Sequence, residues 1–527
     1  MNPALDARSP LWQVEGVEQI ELLVDADIYY ASFYRAALQA KRHIYLAGWQ
    51  FDSLARLLRP APDEPQAHPL ELLPFLDHLC ERTAGLEVFI LAWDYSVFYA
   101  LEREWLQRLK FDFQSHPRVH FEFSNHPGMG GCLHQKYVLI DQRLAFVGGL
   151  DLCDSRWDTR THRALDPARR DVHGNPYKAF HDLQVALRGP VVKGLGRLFR
   201  ESWERARNEA LSAPDSVPSL QLPSAHPHPE LAPEEHAGGT EPRGDDPLDL
   251  RRVSGQRGLP LSATRVGLSQ TDMISASAPA AFQVQALFER AILGAERWIY
   301  IETQYFTSRA IAEILCRRLA DPTRGKLDVF LLMPDGADTP KEDLVLGARQ
   351  RAVRYRVARE AERHGHHFRL LKSLQDPAPG ATQPEHRPAT FIHSKLLIVD
   401  DELLSIGSAN LTNRSMSLDT ELNVTCATAL EEPEAAARLR AEIAGVRANL
   451  LAEHAGSAEP GRFLEGASLL AEIDRACGDA QGKLRCLEIP EPESSNDLLS
   501  QLFDPARPLD WESLELSLMG TRQWQPP

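Results

Sequence analysis

One eight-residue pattern, written twice, constrains this chain more than any other feature. His134-Gln135-Lys136-Tyr137-Val138-Leu139-Ile140-Asp141 and His393-Ser394-Lys395-Leu396-Leu397-Ile398-Val399-Asp400 share the form H-x-K-x4-D. Just past each copy comes a turn of small residues, Gly148-Gly149-Leu150-Asp151 and Gly407-Ser408-Ala409-Asn410. A single match would be weak; two with matching turns are not an accident. The apolar, β-branched cores predict strands over both copies. Side chains alternate faces along a strand. His134 and Lys136 therefore point one way, and Tyr137, Leu139 and Asp141 the other; His393 and Lys395 stand against Asp400 in the same manner. Two such strands side by side would set two imidazoles and two ammonium groups around one anion. A His and a Lys on the core face of a strand would be costly without a role.

The surroundings repeat as well. Phe33-Tyr34-Arg35-Ala36-Ala37-Leu38 resembles Phe288-Glu289-Arg290-Ala291-Ile292-Leu293, and Ala40–Leu46 resembles Ala295–Ile301. Leu86–Leu91 pairs with Leu327–Leu332. Helix, strand, helix, strand, then the motif strand: that order occurs twice and predicts a duplicated α/β unit. The expected fold is an α/β sandwich of two mixed sheets, related by a pseudo-two-fold, flanked by helices and sharing one active site. A helix is expected from Asp338-Thr339-Pro340 to about Arg363, and another from about Pro433 to His454. The expected organisation is a loose N-terminus (1–15), a first half (16–212), a linker rich in Pro, Ser and acid (213–262), a second half (263–456) and a tail (457–527) that packs on the body or covers the site. His226-Pro227-His228 reads as a solvated loop, and His364, His366 and His367 as a helix-end cluster rather than a metal site.

At 527 residues the chain is too long for one core. Its net charge of −16 argues against general nucleic-acid binding, which needs a basic field. The seven cysteines show no zinc-ribbon spacing and are expected as reduced thiols. Met1–Trp12 has no secretory pattern, and no run approaches the ~20 apolar residues of a membrane span. A cytoplasmic or peripheral-membrane protein is expected, with export as a leaderless effector open.

Two His, two Lys and no metal-ligand cluster suggest phosphoryl transfer through an enzyme-bound intermediate, with no metal and no cofactor. Two ammonium groups can hold the non-bridging oxygens of a phosphodiester as fixed charges. One neutral imidazole can attack phosphorus while the other, protonated, serves the leaving alkoxide. An ordinary His pKa near ~6.5 makes both states accessible. Each His needs a carboxylate on its other nitrogen to fix its tautomer. The alternation removes Asp141 and Asp400 from that task and assigns them to backbone at the strand ends. Asp182, before the apolar run Leu183–Leu187, and Glu421, before Leu422–Cys426, are the candidates.

These motifs resemble those of the phospholipase D superfamily, and the match leans to the eukaryotic-type enzymes. Gly148-Gly149-Leu150-Asp151-Leu152-Cys153-Asp154-Ser155-Arg156-Trp157-Asp158-Thr159 is similar to their first-half signature. Ile299-Tyr300-Ile301-Glu302-Thr303-Gln304-Tyr305-Phe306 is similar to the strand before their second motif, and Asp419-Thr420-Glu421-Leu422 also matches. The resemblance covers about 16–210 and 265–456. It implies a monomer with both halves forming one site, His134 as nucleophile and His393 as general acid. It also implies that Lys136, Lys395 and Asn410, with Gly149 and Ser408 of the turns, bind the phosphoryl oxygens. Asp151 stands where many bacterial members have Asn. No polybasic headgroup patch is visible, which leaves the mode of membrane attachment open. The implied reaction is hydrolysis of a glycerophospholipid at a membrane surface to phosphatidic acid and free headgroup, with transphosphatidylation when an alcohol is present. A phosphatidyltransferase of the cardiolipin-synthase type is the alternative. A phosphodiesterase acting on nucleic acid fits the acidic balance less well.

Overall fold

The computed structural model describes residues 13–60, 65–94, 110–111, 115–126, 131–207, 211, 246–255, 257–272, 281–336, 346–377, 387–464, 468–492 and 504. The first half runs β1 (Gln13–Gly16), β2 (Gln19–Val24), α1 (Asp25–Ala37), β3 (His43–Gly48), α2 (Leu72–Arg82), β4 (Glu87–Trp93), β5 (Val119–Ser124), β6 (Tyr137–Ile140), β7 (Leu144–Gly148), β8 (Phe180–His181), β9 (Leu183–Arg188) and α3 (Val191–Arg207). After it come α4 (Leu250–Ser254), β10 (Leu259–Leu261), β11 (Arg265–Asp272), β12 (Ala281–Phe282), α5 (Gln283–Gly294), β13 (Trp298–Glu302), α6 (Arg309–Leu319), β14 (Asp328–Leu332), α7 (Ala348–Arg363), β15 (His367–Ser373) and β16 (Phe391–Ile392). The chain continues as β17 (Leu396–Val399), β18 (Leu403–Gly407), α8 (Asn413–Ser417), β19 (Glu421–Ala427), α9 (Pro433–Ala455), α10 (Leu469–Gly478) and β20 (Leu484–Cys486).

The two sheets have one topology. The first is ordered β10-β2-β9-β7-β6-β3-β4-β5 and the second β1-β11-β19-β18-β17-β13-β14-β15-β20, with β12 on β11. From β2 to β5 in the first and β11 to β15 in the second they match strand for strand. In each, the strand before the motif is antiparallel to the motif strand and parallel to its other neighbour, so both sheets are mixed. The halves also trade edges. β1 adds to the second sheet beside β11, and β10 adds to the first beside β2. Part of the sequence expected as linker is therefore ordered: α4 and β10 belong to the folded body.

Strand parity places the cores. Tyr45 and Ala47 of β3 face the core between the sheets, while Ile44 and Leu46 face the helices of the first half. In β13, Tyr300 faces the shared core and Ile299 and Ile301 the second-half helices. Both faces are covered, which explains strands that read as continuous apolar runs. α3 and α9 close the shared core with Phe199, Trp203, Leu439 and Ile443. α9 begins with Pro433, whose fixed φ suits a first helical turn, and stops at Gly456 in the left-handed region (φ 69).

One expectation is corrected by the structure. The motif strands begin at Tyr137 and Leu396, so His134, Lys136, His393 and Lys395 lie on the extended segments that lead into them. Those segments pair with the other half instead of their own sheet: Leu133 bridges Thr420, and β16 runs parallel to β8. The described part of the helix before Arg363 starts at Ala348; its expected start at 338–340 and the His226/His228 pair lie outside the described residues. The tail contributes α10 and β20, and β20 pairs with β15 at the edge of the second sheet.

Candidate active site

Each motif histidine is oriented by the other half of the molecule. His134 N–H donates to Thr420 O (3.1 Å), and its Nδ1 lies 3.0 Å from both carboxylate oxygens of Glu421 at the head of β19. His393 N–H donates to His181 O (2.8 Å), and its Nδ1 lies 2.5 Å from Asp182 Oδ2, between β8 and β9. Glu421 and Asp182 are buried, while the two imidazoles keep 16% and 14% of their side-chain surface exposed. The carboxylates fix the Nδ1 side of each ring and with it the ring's orientation. Burial raises Glu421, but His134 and then Ser408 outweigh it and hold the group below the usual range. At Asp182 burial wins over Lys395 and the group sits above the usual range.

The lysines lie alongside. Lys136 Nζ donates to His134 O (3.0 Å) and stands 3.6 Å from Asp151 Oδ2. Lys395 Nζ donates to His393 O. At the last position of the turns the charge differs: the second turn carries the uncharged Asn410 where the first carries Asp151. Asn410 Oδ1 is buried with no hydrogen-bond partner among the described residues. Burial, opposed by Asp182 and reinforced by Lys136, brings Lys395 down to about 7. Burial, then Lys395 and Arg156, hold His393 well below the ordinary imidazole value. Arg156 is a third cation here. Its guanidinium lies over the Phe180 ring at 5.0 Å, and that ring is 5.1 Å from His393.

The remaining nominated residues act on the frame. Asp141 accepts the backbone N–H groups of Lys41, Arg42 and His43 at 2.8–3.0 Å, and Asp400 those of Glu296, Arg297 and Trp298 at 2.7–3.0 Å. Each caps the start of the strand beside its motif. Ser408 donates to Glu421 Oε2 (2.5 Å). A Cβ on Gly149 would lie 2.2 Å from Asp182 Oδ1, so only glycine leaves that carboxylate its place. The two turn residues thus meet the carboxylates that orient the histidines.

Comparison with known proteins follows the same line. The family described as "Cardiolipin synthase, PLD-like domain" matches residues 288–446. Phospholipase D alpha 1 of Carica papaya is 23% identical over 84% of this chain and 66% of its own length. Phospholipase D1 of Saccharomyces cerevisiae is 24% identical over 75% of this chain and 26% of its own. Among solved structures, the phosphatidylserine synthase of Haemophilus influenzae aligns over 93% of both chains at 13% identity with a TM-score of 0.49. The chain is thus similar to phospholipases D over most of its length, and its second half matches a PLD-like domain. It spans two thirds or less of the length of these two curated relatives.

Behind the two histidines lies a buried polar group that sequence reading missed. Asp25, His162, His181 and Glu453 each turn one donor atom into a common space, all within 4.8 Å of one another. His181 Nδ1 is 2.9 Å from Asp25 Oδ1 and 3.2 Å from Glu453 Oε1; His162 Nε2 is 3.0 Å from Glu453 Oε1. The far nitrogens face Glu302 (3.1 Å) and Asp158 (3.0 Å), which fix both tautomers. Two imidazoles and two carboxylates so arranged have the donor chemistry to hold a divalent cation, and they also balance as ion pairs. Despite burial, Asp25 and then Asp158 bring His162 up to about 9, and burial pushes Asp25 up to about 6. His181 directly precedes Asp182, so the carboxylate that orients His393 is carried by a residue next to the cluster. Positions 25, 162, 181 and 453 share no local pattern. The one signal was an isolated His or Asp beside apolar runs, which core residues also show.

Proposed function

We propose that the chain is a phospholipase D that hydrolyses a glycerophospholipid to phosphatidic acid and free headgroup through a phosphohistidine. The observation that carries this reading is the crossed pairing: each imidazole is oriented by a carboxylate of the opposite half, beside two buried ammonium groups. His134 Nε2 attacks phosphorus while Lys136 and Lys395 hold the non-bridging oxygens. His393 gives a proton to the departing headgroup oxygen. In the free protein burial, then Lys395, Arg156 and Lys136, disfavour the His393 imidazolium. The phosphodiester anion offsets those cations, so substrate binding favours the imidazolium that the step needs. His393 then takes a proton from water, which attacks the phosphohistidine and releases phosphatidic acid. A primary alcohol in place of water yields the transphosphatidylation product. The site is formed within one chain, as a monomer would have it, and needs no metal or cofactor at phosphorus.

No helix among the described residues is long and apolar enough to cross a membrane; because a glycerophospholipid resides in a bilayer, we infer that the enzyme meets its substrate at a membrane surface. The match of residues 288–446 to a cardiolipin-synthase-type family supports a second reading, phosphatidyl transfer to a lipid hydroxyl, with the same residues in the same roles. Mass spectrometry of products from mixed phospholipid vesicles, with and without a primary alcohol, separates them. Free headgroup with phosphatidic acid, or phosphatidyl-alcohol, supports the phospholipase. Cardiolipin-type products from phosphatidylglycerol alone support transfer. No change in any lipid sinks both.

A further inference from the structure

A second chemically distinct site lies at the far edge of the second sheet. Cys477 lies in the last turn of α10, Cys486 ends β20, and their sulfurs are 3.0 Å apart. Both are free, and Cys486 is exposed. The other five cysteines are buried. We propose that Cys477 and Cys486 form a peroxide-reactive dithiol that closes to a disulfide and tightens the contact between the two halves.

The two sulfurs have different surroundings. The hydrogen bond to Cys477 and the nearby Arg369 outweigh burial and Asp474 and draw the Cys486 thiol below its ordinary range. The same hydrogen bond, together with burial, raises Cys477. An exposed thiol made more acidic, in contact with a less acidic one, is the arrangement of an attacking and a resolving cysteine. The thiolate of Cys486 attacks a hydroperoxide, the O–O bond breaks, and a sulfenic acid and hydroxide (or alkoxide) result. The Cys477 sulfur then displaces hydroxide from the sulfenic acid, giving the disulfide. Two thiols lose two electrons and two protons in total; the peroxide takes both and leaves as water plus water or alcohol.

The ring closed by this bond holds a clamp. Its backbone carbonyls at Gln481 and Gly482 accept from Arg387 Nη1 (3.1 and 2.9 Å). Lys483 N–H donates to Ala455 O at the end of α9, and Lys483 O accepts from Leu374 N–H (2.8 Å). Lys483 Nζ reaches across to Thr161 O of the first half (3.2 Å) and stands 3.7 Å from Asp376 Oδ1 of the second. Thr161 adjoins His162 of the buried cluster, and Ala455 follows Glu453 of the same cluster by two residues. A covalent link from α10 to β20 fixes the turn that carries these contacts.

The full chain is titrated with hydrogen peroxide, alkylated under denaturing conditions and mapped by peptide mass spectrometry. The expected result is an intramolecular Cys477–Cys486 bond formed before any other cysteine reacts, with the melting temperature raised by about 3 °C, as closure of a short loop in a chain of this size gives. Cys477→Ser should stop at a sulfenic acid on Cys486 that dimedone traps, and Cys486→Ser should react at this pair at least about tenfold more slowly. Both variants keep the reduced melting temperature, so misfolding is visible separately. The proposal is overturned if both thiols remain alkylatable at peroxide levels that oxidise other cysteines, if the disulfide joins two chains, or if the bond forms without raising the melting temperature.

Discussion

Lys395 should set the alkaline edge of activity, and Asn410→Asp should move it. Lys395 sits at about 7, so below that pH it is an ammonium ion that holds the anionic substrate, and above it the charge is lost. Because kcat/KM reports groups of the free enzyme, it should fall as pH rises through about 7, by up to about tenfold for each further pH unit. A p-nitrophenyl phosphodiester is the substrate of choice, because its leaving group needs no proton and His393 drops out of the profile. In the first half Asp151 stands 3.6 Å from Lys136 Nζ. An aspartate at position 410 with that separation would favour the Lys395 cation by about 4–5 kcal/mol at an effective dielectric of about 20. That corresponds to about three pH units at 1.36 kcal/mol each. Burying the new carboxylate opposes part of the gain, so the edge should move upward by about two pH units. The plateau below it should drop, since a second carboxylate repels the phosphodiester. An edge that stays where the parent has it, or a parent profile flat above pH 7, would refute the assignment of Lys395 and the account of the asymmetry.

Other substitutions test other parts. His134→Ala should abolish release of both lipid headgroup and p-nitrophenol, a loss of about 10^4-fold or more, whereas His393→Ala should lose about 10^2–10^4-fold on lipid yet keep attack on the p-nitrophenyl ester and accumulate a phosphohistidine at residue 134. An adduct on His393 in the His134→Ala protein would reverse the roles. Gly149→Ala should push Asp182 off His393 and cut kcat by about 10^2-fold with little change in melting temperature; Gly445→Ala, with nothing within 4 Å of its new Cβ, is the control that should keep full activity. Excess EDTA should leave turnover of a soluble phosphodiester within about twofold, since the proposed step uses imidazoles and ammonium groups; a cation at Asp25, His162, His181 and Glu453 would show instead as a lower melting temperature on chelation. Loss of turnover at unchanged melting temperature, restored by one divalent ion, would count against the mechanism.

The duplication was legible because both halves repeat the same order of elements and the same apolar registers, as in Ile44 and Ile299 at the centres of their sheets. The α/β architecture follows from it. Strand parity put His and Lys of each motif on one side, yet the strands start only at Tyr137 and Leu396. Local pattern gives β propensity to the whole segment, but the backbone of its first residues is taken by the opposite half, at Leu133–Thr420 and Ile392–His181. Asp182 and Glu421 could be nominated because each opens an apolar run. Which histidine each serves could not, since nothing within one half says that its carboxylate crosses the pseudo-two-fold. The exchange of β1 and β10 was hidden for the same reason, as a three- or four-residue edge strand takes its partner from tertiary packing. The buried cluster is the extreme case: its four donors come from α1, an irregular loop, β8 and α9. A charge that costs free energy to bury looks in sequence like any isolated polar residue, and only the fold shows the partners that satisfy it. The crossed pairing also has a mechanical consequence. Because each half orients the other's histidine, neither half can hold a complete site alone, and small relative movement of the sheets would lengthen both His–carboxylate contacts together. Activity should therefore be lost in a single step as the halves separate, at or before the loss of secondary structure on heating.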